Sequence, residues 1–209
     1  MVVRDAGAGI PAEIARHVQD HVSILNAGEA DVSHPTQGLL DLLTIRQHRP
    51  NFADLIVTIV GDIRHSRVAR SAAQGLRTLG VGELRFVCPP AMAPVDADLG
   101  FARVMHDLHA GLEDADVVMA LRIQRERIDD LDGIPDIREY SANFGLSEAR
   151  LKKAKPDAIV MHPGPMNRGI EIDGALADSK RSVITRQVTN GVAVRMAVLA
   201  HVARSAGRA

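Results

Sequence analysis

The run Leu55-Ile56-Val57-Thr58-Ile59-Val60-Gly61 is apolar without alternation over a strand's length, and few folds accept such a strand. Residues that are apolar on both sides must be covered on both faces, as in a parallel sheet flanked by helices. Shorter runs of the same kind follow at Leu84-Arg85-Phe86-Val87, Asp116 to Leu121 and Ala158 to Met161. A helical stretch from about Ser66 to Leu79 separates the first two. Strands alternating with helices at this spacing predict an α/β chain, a doubly wound parallel sheet with helices on both faces. Ligands of such sheets sit beyond the carboxyl ends of the strands, so chemistry-bearing residues are sought there.

The remaining elements are less sharply marked. Pro11 to His21 fits a helix with Ile14, Val18 and Val22 as its stripe, and Ser23 to Asn26 a strand ending at Ala27-Gly28. Met1 to Arg4 is a short apolar stretch running into loop. After Ser33-His34-Pro35, the residues Leu39, Leu40, Leu42, Leu43 and Ile45 recur at helical spacing; Ser33 or His34 can cap this helix and Pro35 suits its first position. A weak strand is expected near Ala102 to Met105, a short helix around Leu112 to Asp114, and a polar, helix-prone stretch from Gln124 to Lys155. A last helix from about Gly191 to Arg204 carries Val194, Val198 and Val202 along one side.

Composition removes several classes of function. A net charge of −1 gives no bulk attraction to nucleic acid or anionic membrane. No apolar run approaches the ~18–20 residues of a membrane span. With no Trp and one Tyr, stacking on bases or sugars is not expected. The single cysteine, Cys88, rules out an internal disulfide and a cysteine-rich zinc site, which makes a reducing cytoplasm the expected compartment.

Four strand ends carry unusual polar residues. His34 and Gln37 stand at a helix N-terminus, where free N–H groups favour an anionic or polar ligand; an ordinary capped helix with a surface histidine is the other reading. Past strand 55–61, Ser66 can cap the next helix and place Arg67 in its first turn, where the helix dipole disfavours a cation. An anionic ligand explains that arginine, as does a surface pairing with a neighbouring acid. Only Gly61 stands where a G-x-G-x-x-G fingerprint would be, so no nicotinamide cofactor is expected. Past strand 116–121, Arg122 and Gln124 point the same way in an extended exit, and Arg122 offers a planar fork for carboxylate or phosphate. Past strand 158–161, His162-Pro163-Gly164-Pro165 is stiff and presents carbonyl acceptors, fit either to position an amide or to serve as a rigid turn. No triad setting for a nucleophile and no dense metal-ligand spacing occurs, so neither metal nor other cofactor is expected. The set suits gripping two small anions and polarising a carbonyl between them.

Taken together, these clusters resemble the catalytic chain of aspartate carbamoyltransferase, in the aspartate/ornithine carbamoyltransferase superfamily. The resemblance rests on Arg4, His34-Pro35-Thr36-Gln37-Gly38-Leu39-Leu40-Asp41, Gly61-Asp62-Ile63-Arg64-His65-Ser66-Arg67-Val68-Ala69-Arg70-Ser71, Leu121 to Arg127 and His162-Pro163-Gly164-Pro165, in the family's order. It implies transfer of a carbamoyl group from carbamoyl phosphate to the amine of L-aspartate, through a tetrahedral intermediate and without a cofactor. His34 and Gln37 would hold the carbamoyl group, His34 polarising its carbonyl. Arg4 would contact carbamoyl phosphate, Gly164 and Pro165 the carbamoyl amide through backbone oxygens, and Arg67, Arg122 and Gln124 aspartate. Ornithine-specific relatives carry a cysteine in the loop corresponding to 162–165, whereas Cys88 lies elsewhere.

The resemblance also implies a domain division: residues 1–36 as a remnant of the carbamoyl-phosphate-binding domain, 37–188 as the aspartate-binding domain, and 189–209 as a C-terminal helix that packs on the first domain. The family's Ser-Thr-Arg-Thr phosphate loop does not occur in this sequence. Each charge-assisted bond so lost is worth about 1.5–3 kcal/mol, so two or three would lower phosphate affinity by roughly 10²- to 10⁶-fold. The family assembles as trimers that share active sites, and a homo-oligomer is the expected state. A non-catalytic homologue that binds ligand or joins a full-length enzyme is the competing expectation, and a generic doubly wound binding domain a third.

Overall fold

The computed structural model describes residues 1–95, 97–123 and 134–206. Five strands form one wholly parallel sheet: β3 (Ile56–Val60), β4 (Glu83–Val87), β5 (Arg103–Met105), β6 (Val117–Ala120) and β7 (Ile159–Met161), in the order β5-β4-β3-β6-β7. From β3 the chain winds outward to β4 and β5, then returns to the other side of β3 for β6 and β7. The winding reverses between β3 and β6, so their carboxyl ends flank the crevice of a doubly wound sheet.

The continuous apolar runs have the burial their pattern demands. Val57, Ile59, Val117, Val118, Met119, Val160 and Met161 are inaccessible to solvent, with helices on both faces of the sheet. The one hydroxyl in β3, on Thr58, donates to the Gly111 carbonyl at 2.8 Å, which removes the cost of burying it. A separate two-stranded parallel sheet pairs β1 (Val2–Asp5) with β2 (Leu25–Glu29), so the apolar stretch at Val2 is a strand.

Helix α1 (Ile10–His17) ends four residues earlier than its periodicity predicts, because Val18 turns to extended backbone. Helix α2 (Pro35–His48) has Pro35 in its first turn and His34 at the N-cap position, but no side chain caps it. Ser33 Oγ donates instead to Glu29 Oε1 at 2.9 Å, and the His34 N–H donates to Ser71 Oγ at 2.8 Å. Helix α3 (Arg67–Thr78) is capped as expected, the Ser66 hydroxyl accepting the Ala69 N–H. Helix α4 (Leu108–Leu112) lies just before the position expected for it, capped by Asp107. The polar, helix-prone stretch contains, among its described residues, α5 (Ile137–Phe144), capped by the Asp136 side chain, and α6 (Glu148–Leu151), capped by that of Ser147. A short α7 (Gly174–Ala177) follows β7.

The last helix, α8 (Ile184–Ala206), starts well before Gly191. Its first turns pack on α2 through polar groups. Gln187 Nε2 donates to Asp41 Oδ1 at 2.7 Å, and Asn190 Nδ2 donates to Thr44 Oγ1 at 2.9 Å. Val194, Val198 and Val202 are half-buried, whereas Val188, Val192, Met196 and Leu199 on another face are exposed.

Candidate active site

The carboxyl ends of β3, β6 and β7 and the N-terminus of α2 close on one cleft of about 210 Å³. Arg4, His34, Gln37, Arg67 and Arg122 line it, together with the Gly164 and Pro165 backbone. Seven of the eight residues singled out from the sequence are therefore neighbours. The eighth, Gln124, lies outside the described residues, as do Arg125 to Arg127. A wider recess of about 640 Å³ adjoins the cleft, bounded by Arg4, Asp5, Ala30, His65 and Arg67.

Local sequence explains how each side chain arrives. Gly61 ends β3 at φ +139°, and a Cβ there would stand 2.8 Å from Leu121 Cβ, so only glycine lets the exits of β3 and β6 approach. Ser66 caps α3, which puts Arg67 at the first helical position. Arg67 is not the surface residue its charge suggests: it is buried, with Nη1 donating to the Ala30 carbonyl at 3.2 Å. Its guanidinium occupies the space that a side chain at position 28 would need, since a Cβ on Gly28 would lie 3.1 Å from Arg67 Cζ. Arg4, from β1, donates to the Ala27 carbonyl at 3.2 Å. The Gly164–Pro165 peptide bond is cis.

Charge shapes the cleft. Burial and the fields of Arg67, Arg4 and Arg195 push the His34 imidazole down to about 4, so it is neutral at pH 7. Its Nδ1 is buried with no hydrogen-bond partner among the described residues. A neutral imidazole beside arginines can donate an N–H to a ligand carbonyl without adding another cation. Gln37 Nε2 donates to the buried Asp41 Oδ1 at 3.0 Å. The loop after β7 is held from beneath: His162 Nδ1 accepts the Gly164 N–H at 2.9 Å, which leaves Nε2 to donate to Glu171 Oε1 at 3.1 Å.

One feature of the cleft escaped the sequence reading. Asp62 grips the His65 ring, with Nδ1 2.9 Å from Oδ2 and 3.0 Å from Oδ1, and accepts the His65 N–H as well. Both residues line the cleft. The available signal was the spacing Asp-x-x-His directly after a buried strand. Cys88 is also buried, and its thiol is pushed up to about 12 by burial and by Asp62, so it is no nucleophile near neutral pH.

These surroundings suit two small anions, one of them bearing a carbonyl. The carbamoyl-phosphate-binding domain of aspartate/ornithine carbamoyltransferases matches residues 1–47, and the aspartate/ornithine-binding domain matches residues 53–202. The chain belongs to the aspartate/ornithine carbamoyltransferase family.

Solved structures of the family superpose on it closely. Aspartate transcarbamoylase from Trypanosoma cruzi in complex with phosphate is 28% identical at a TM-score of 0.82, over 95% of this chain and 65% of that one. The same enzyme in complex with carbamoyl phosphate is 27% identical at 0.81, again over 95% and 65%. Ornithine carbamoyltransferase from Thermus thermophilus is 25% identical at 0.80, over 96% and 65%. The chain thus spans 65% of the length of each of these relatives.

Proposed function

We propose that the cleft binds carbamoyl phosphate and L-aspartate and transfers the carbamoyl group to the aspartate amine, the step that commits aspartate to pyrimidine synthesis. The carrying observation is the convergence of Arg4, Arg67 and Arg122 on one cleft that also holds a neutral His34. In this reading His34 donates to the carbamoyl oxygen and Gln37 contacts the same group. The Gly164 and Pro165 carbonyls accept the carbamoyl amide, and Arg4 meets the phosphate. Arg67 and Arg122, joined by Gln124, take the two carboxylates of aspartate. The unprotonated amine attacks the carbamoyl carbon; a C–N bond forms, the tetrahedral intermediate collapses, and the C–O bond breaks with phosphate as leaving group. The attacking nitrogen gives up one proton, which the departing phosphate takes up, so that carbamoyl phosphate and amine become carbamoyl-aspartate and hydrogen phosphate. Holding both anions in register supplies the orientation that the reaction lacks in water, and fixed donors stabilise the developing oxyanion.

Two arginines suit a dicarboxylic amino acid better than a cationic one, which favours aspartate over ornithine. Complexes of the Trypanosoma cruzi enzyme with aspartate and with carbamoyl aspartate, each at 28% identity, support the same choice. We further propose that the protein is cytoplasmic and works as a trimer-based homo-oligomer. The alternative reading is a non-catalytic homologue that binds ligand or assembles with a full-length enzyme.

Calorimetry with L-aspartate and with L-ornithine, each in the presence of inorganic phosphate, tests the choice of amino acid. Aspartate is expected to bind at least tenfold more tightly. Tighter binding of ornithine would overturn the aspartate assignment while leaving the family membership intact.

A further inference from the structure

Gln37 and the Gly164–Pro165 loop stand on different elements, yet a buried chain of hydrogen bonds joins them. Gln37 Nε2 donates to Asp41 Oδ1 at 3.0 Å, and Gln187 Nε2 donates to the same oxygen at 2.7 Å. The other end of the Gln187 amide, Oε1, accepts the His162 N–H at 3.0 Å. His162 Nδ1 then accepts the Gly164 N–H at 2.9 Å. Every side chain in the chain is buried: Asp41 and His162 are fully inaccessible, Gln187 is 1% exposed and Gln37 7%.

Such a chain constrains direction as well as position. A side-chain amide has a donor end and an acceptor end. A carboxylate oxygen that receives both glutamines leaves each amide only one way round. The NH₂ group of Gln37 is committed to Asp41, so its carbonyl end is turned toward the cleft it lines. The Gln187 amide is reversed relative to it and offers its oxygen to the β7 backbone. Asp41 Oδ2 has no hydrogen-bond partner among the described residues, so a proton taken up there would leave Oδ1 an acceptor still. An aliphatic residue at position 41 would fill the space between α2 and α8 without specifying either amide. A carboxylate buried with one unsatisfied oxygen is a costly way to pack two helices, which argues that its use lies in what it orients.

We propose that Asp41, acting through Gln37 on one side and Gln187 on the other, is a positioning residue that sets the amide-recognising groups of the two flanks of the cleft together. Gln37 would present its oxygen, and the 162–165 loop its carbonyls, to the NH₂ group of one carbamoyl ligand. The inference rests on the carbamoyl-phosphate reading of the cleft for its ligand, but not for its geometry.

The test uses the full chain, unaltered and as Asp41→Leu, Asp41→Asn and Gln187→Leu. Two quantities are measured: hydrogen exchange at the His162 and Gly164 backbone N–H groups, and affinity for two probes. One probe is the phosphonate analogue of carbamoyl phosphate with a methylene in place of the bridging oxygen; the other is inorganic phosphate, which lacks the amide. Asp41→Leu is expected to speed exchange at both positions at least tenfold while leaving Ile59 and Phe86 in the sheet unchanged. It should weaken the analogue at least tenfold and phosphate less than twofold. Asp41→Asn, which keeps an acceptor at Oδ1, should restore both. If Asp41→Leu does not fold, Gln187→Leu carries the same expectation at His162 and Gly164. Unchanged exchange at those two groups, or equal weakening of both probes, would overturn the proposal. If the unaltered chain binds neither probe, the carbamoyl-phosphate reading falls, and the exchange data alone decide the role of Asp41.

Discussion

Asp41 should make the protein less stable as the pH rises, and Asp41→Asn should abolish that trend. The carboxyl is inaccessible to solvent, and its two amide hydrogen bonds only partly offset the loss of hydration, so burial raises its pKa from 3.8 to about 7. Because the folded value exceeds the unfolded one, the folded state binds more protons between these limits. Stability therefore falls as pH climbs from about 4 through about 7. Three units at 1.36 kcal/mol each give a cost of about 4 kcal/mol above pH 8 that is absent below pH 4. Asparagine at this position keeps the acceptor for Gln37 and Gln187 and carries no charge. Its NH₂ group, placed where Oδ2 has no partner, adds a cost of roughly 1–3 kcal/mol that does not depend on pH. His34 acts in the opposite sense: its folded pKa is depressed to about 4, so its contribution is lost as pH falls from about 6.5. It is common to both proteins and cancels in their difference. Urea unfolding of the two proteins from pH 4 to 8.5 should show asparagine gaining about 3–4 kcal/mol on aspartate across the range. A difference flat to within 1 kcal/mol would refute the argument that Asp41 is buried at the cost of its charge.

Arg122→Ala is expected to weaken L-aspartate about tenfold to a hundredfold, the worth of one charge-assisted contact, with an unchanged circular dichroism spectrum; unaltered affinity would remove Arg122 from the site. Gly28→Ala places a methyl group against the Arg67 guanidinium at a backbone φ of +116°. It should cost roughly 1–3 kcal/mol of stability and lower aspartate affinity as well, and a variant with the parent's melting temperature and affinity would contradict this. The His34 ring, followed by NMR, should titrate with a midpoint near 4, lowered by burial and the arginines beside it; a midpoint near 6.5 would mean that it is solvated.

The parts of the fold legible in the sequence were those where one physical demand dominates. β3, β6 and β7 are buried on both faces, and an unbroken apolar run has no other good home. Ser66 caps α3 as its position requires. The start of α8 was not legible, because its inner face there carries Gln187 and Asn190 in place of aliphatic residues, and a search for apolar periodicity passes over them. For the same reason the leucines of α2 drew attention away from Asp41 and Thr44, which continue from Gln37 a buried polar row at helical spacing. Strand β1 is too short to be told from loop without its partner β2. Within the cleft, strand-end position identified Arg67, Arg122 and Gly164-Pro165, while the grip of Asp62 on His65 depends on a turn geometry that no periodicity encodes.

Carbamoyl transfer itself tests the central claim most directly. Radiolabelled carbamoyl phosphate would be supplied with L-aspartate or L-ornithine to the purified chain, alone and together with a separately produced carbamoyl-phosphate-binding domain of an aspartate carbamoyltransferase. N-carbamoyl-L-aspartate is expected with aspartate, at least in the supplemented mixture, and its formation should collapse with Arg122→Ala. Labelled product from ornithine alone, or no product from either amino acid in either mixture, would contradict the account; the latter result would favour a non-catalytic homologue.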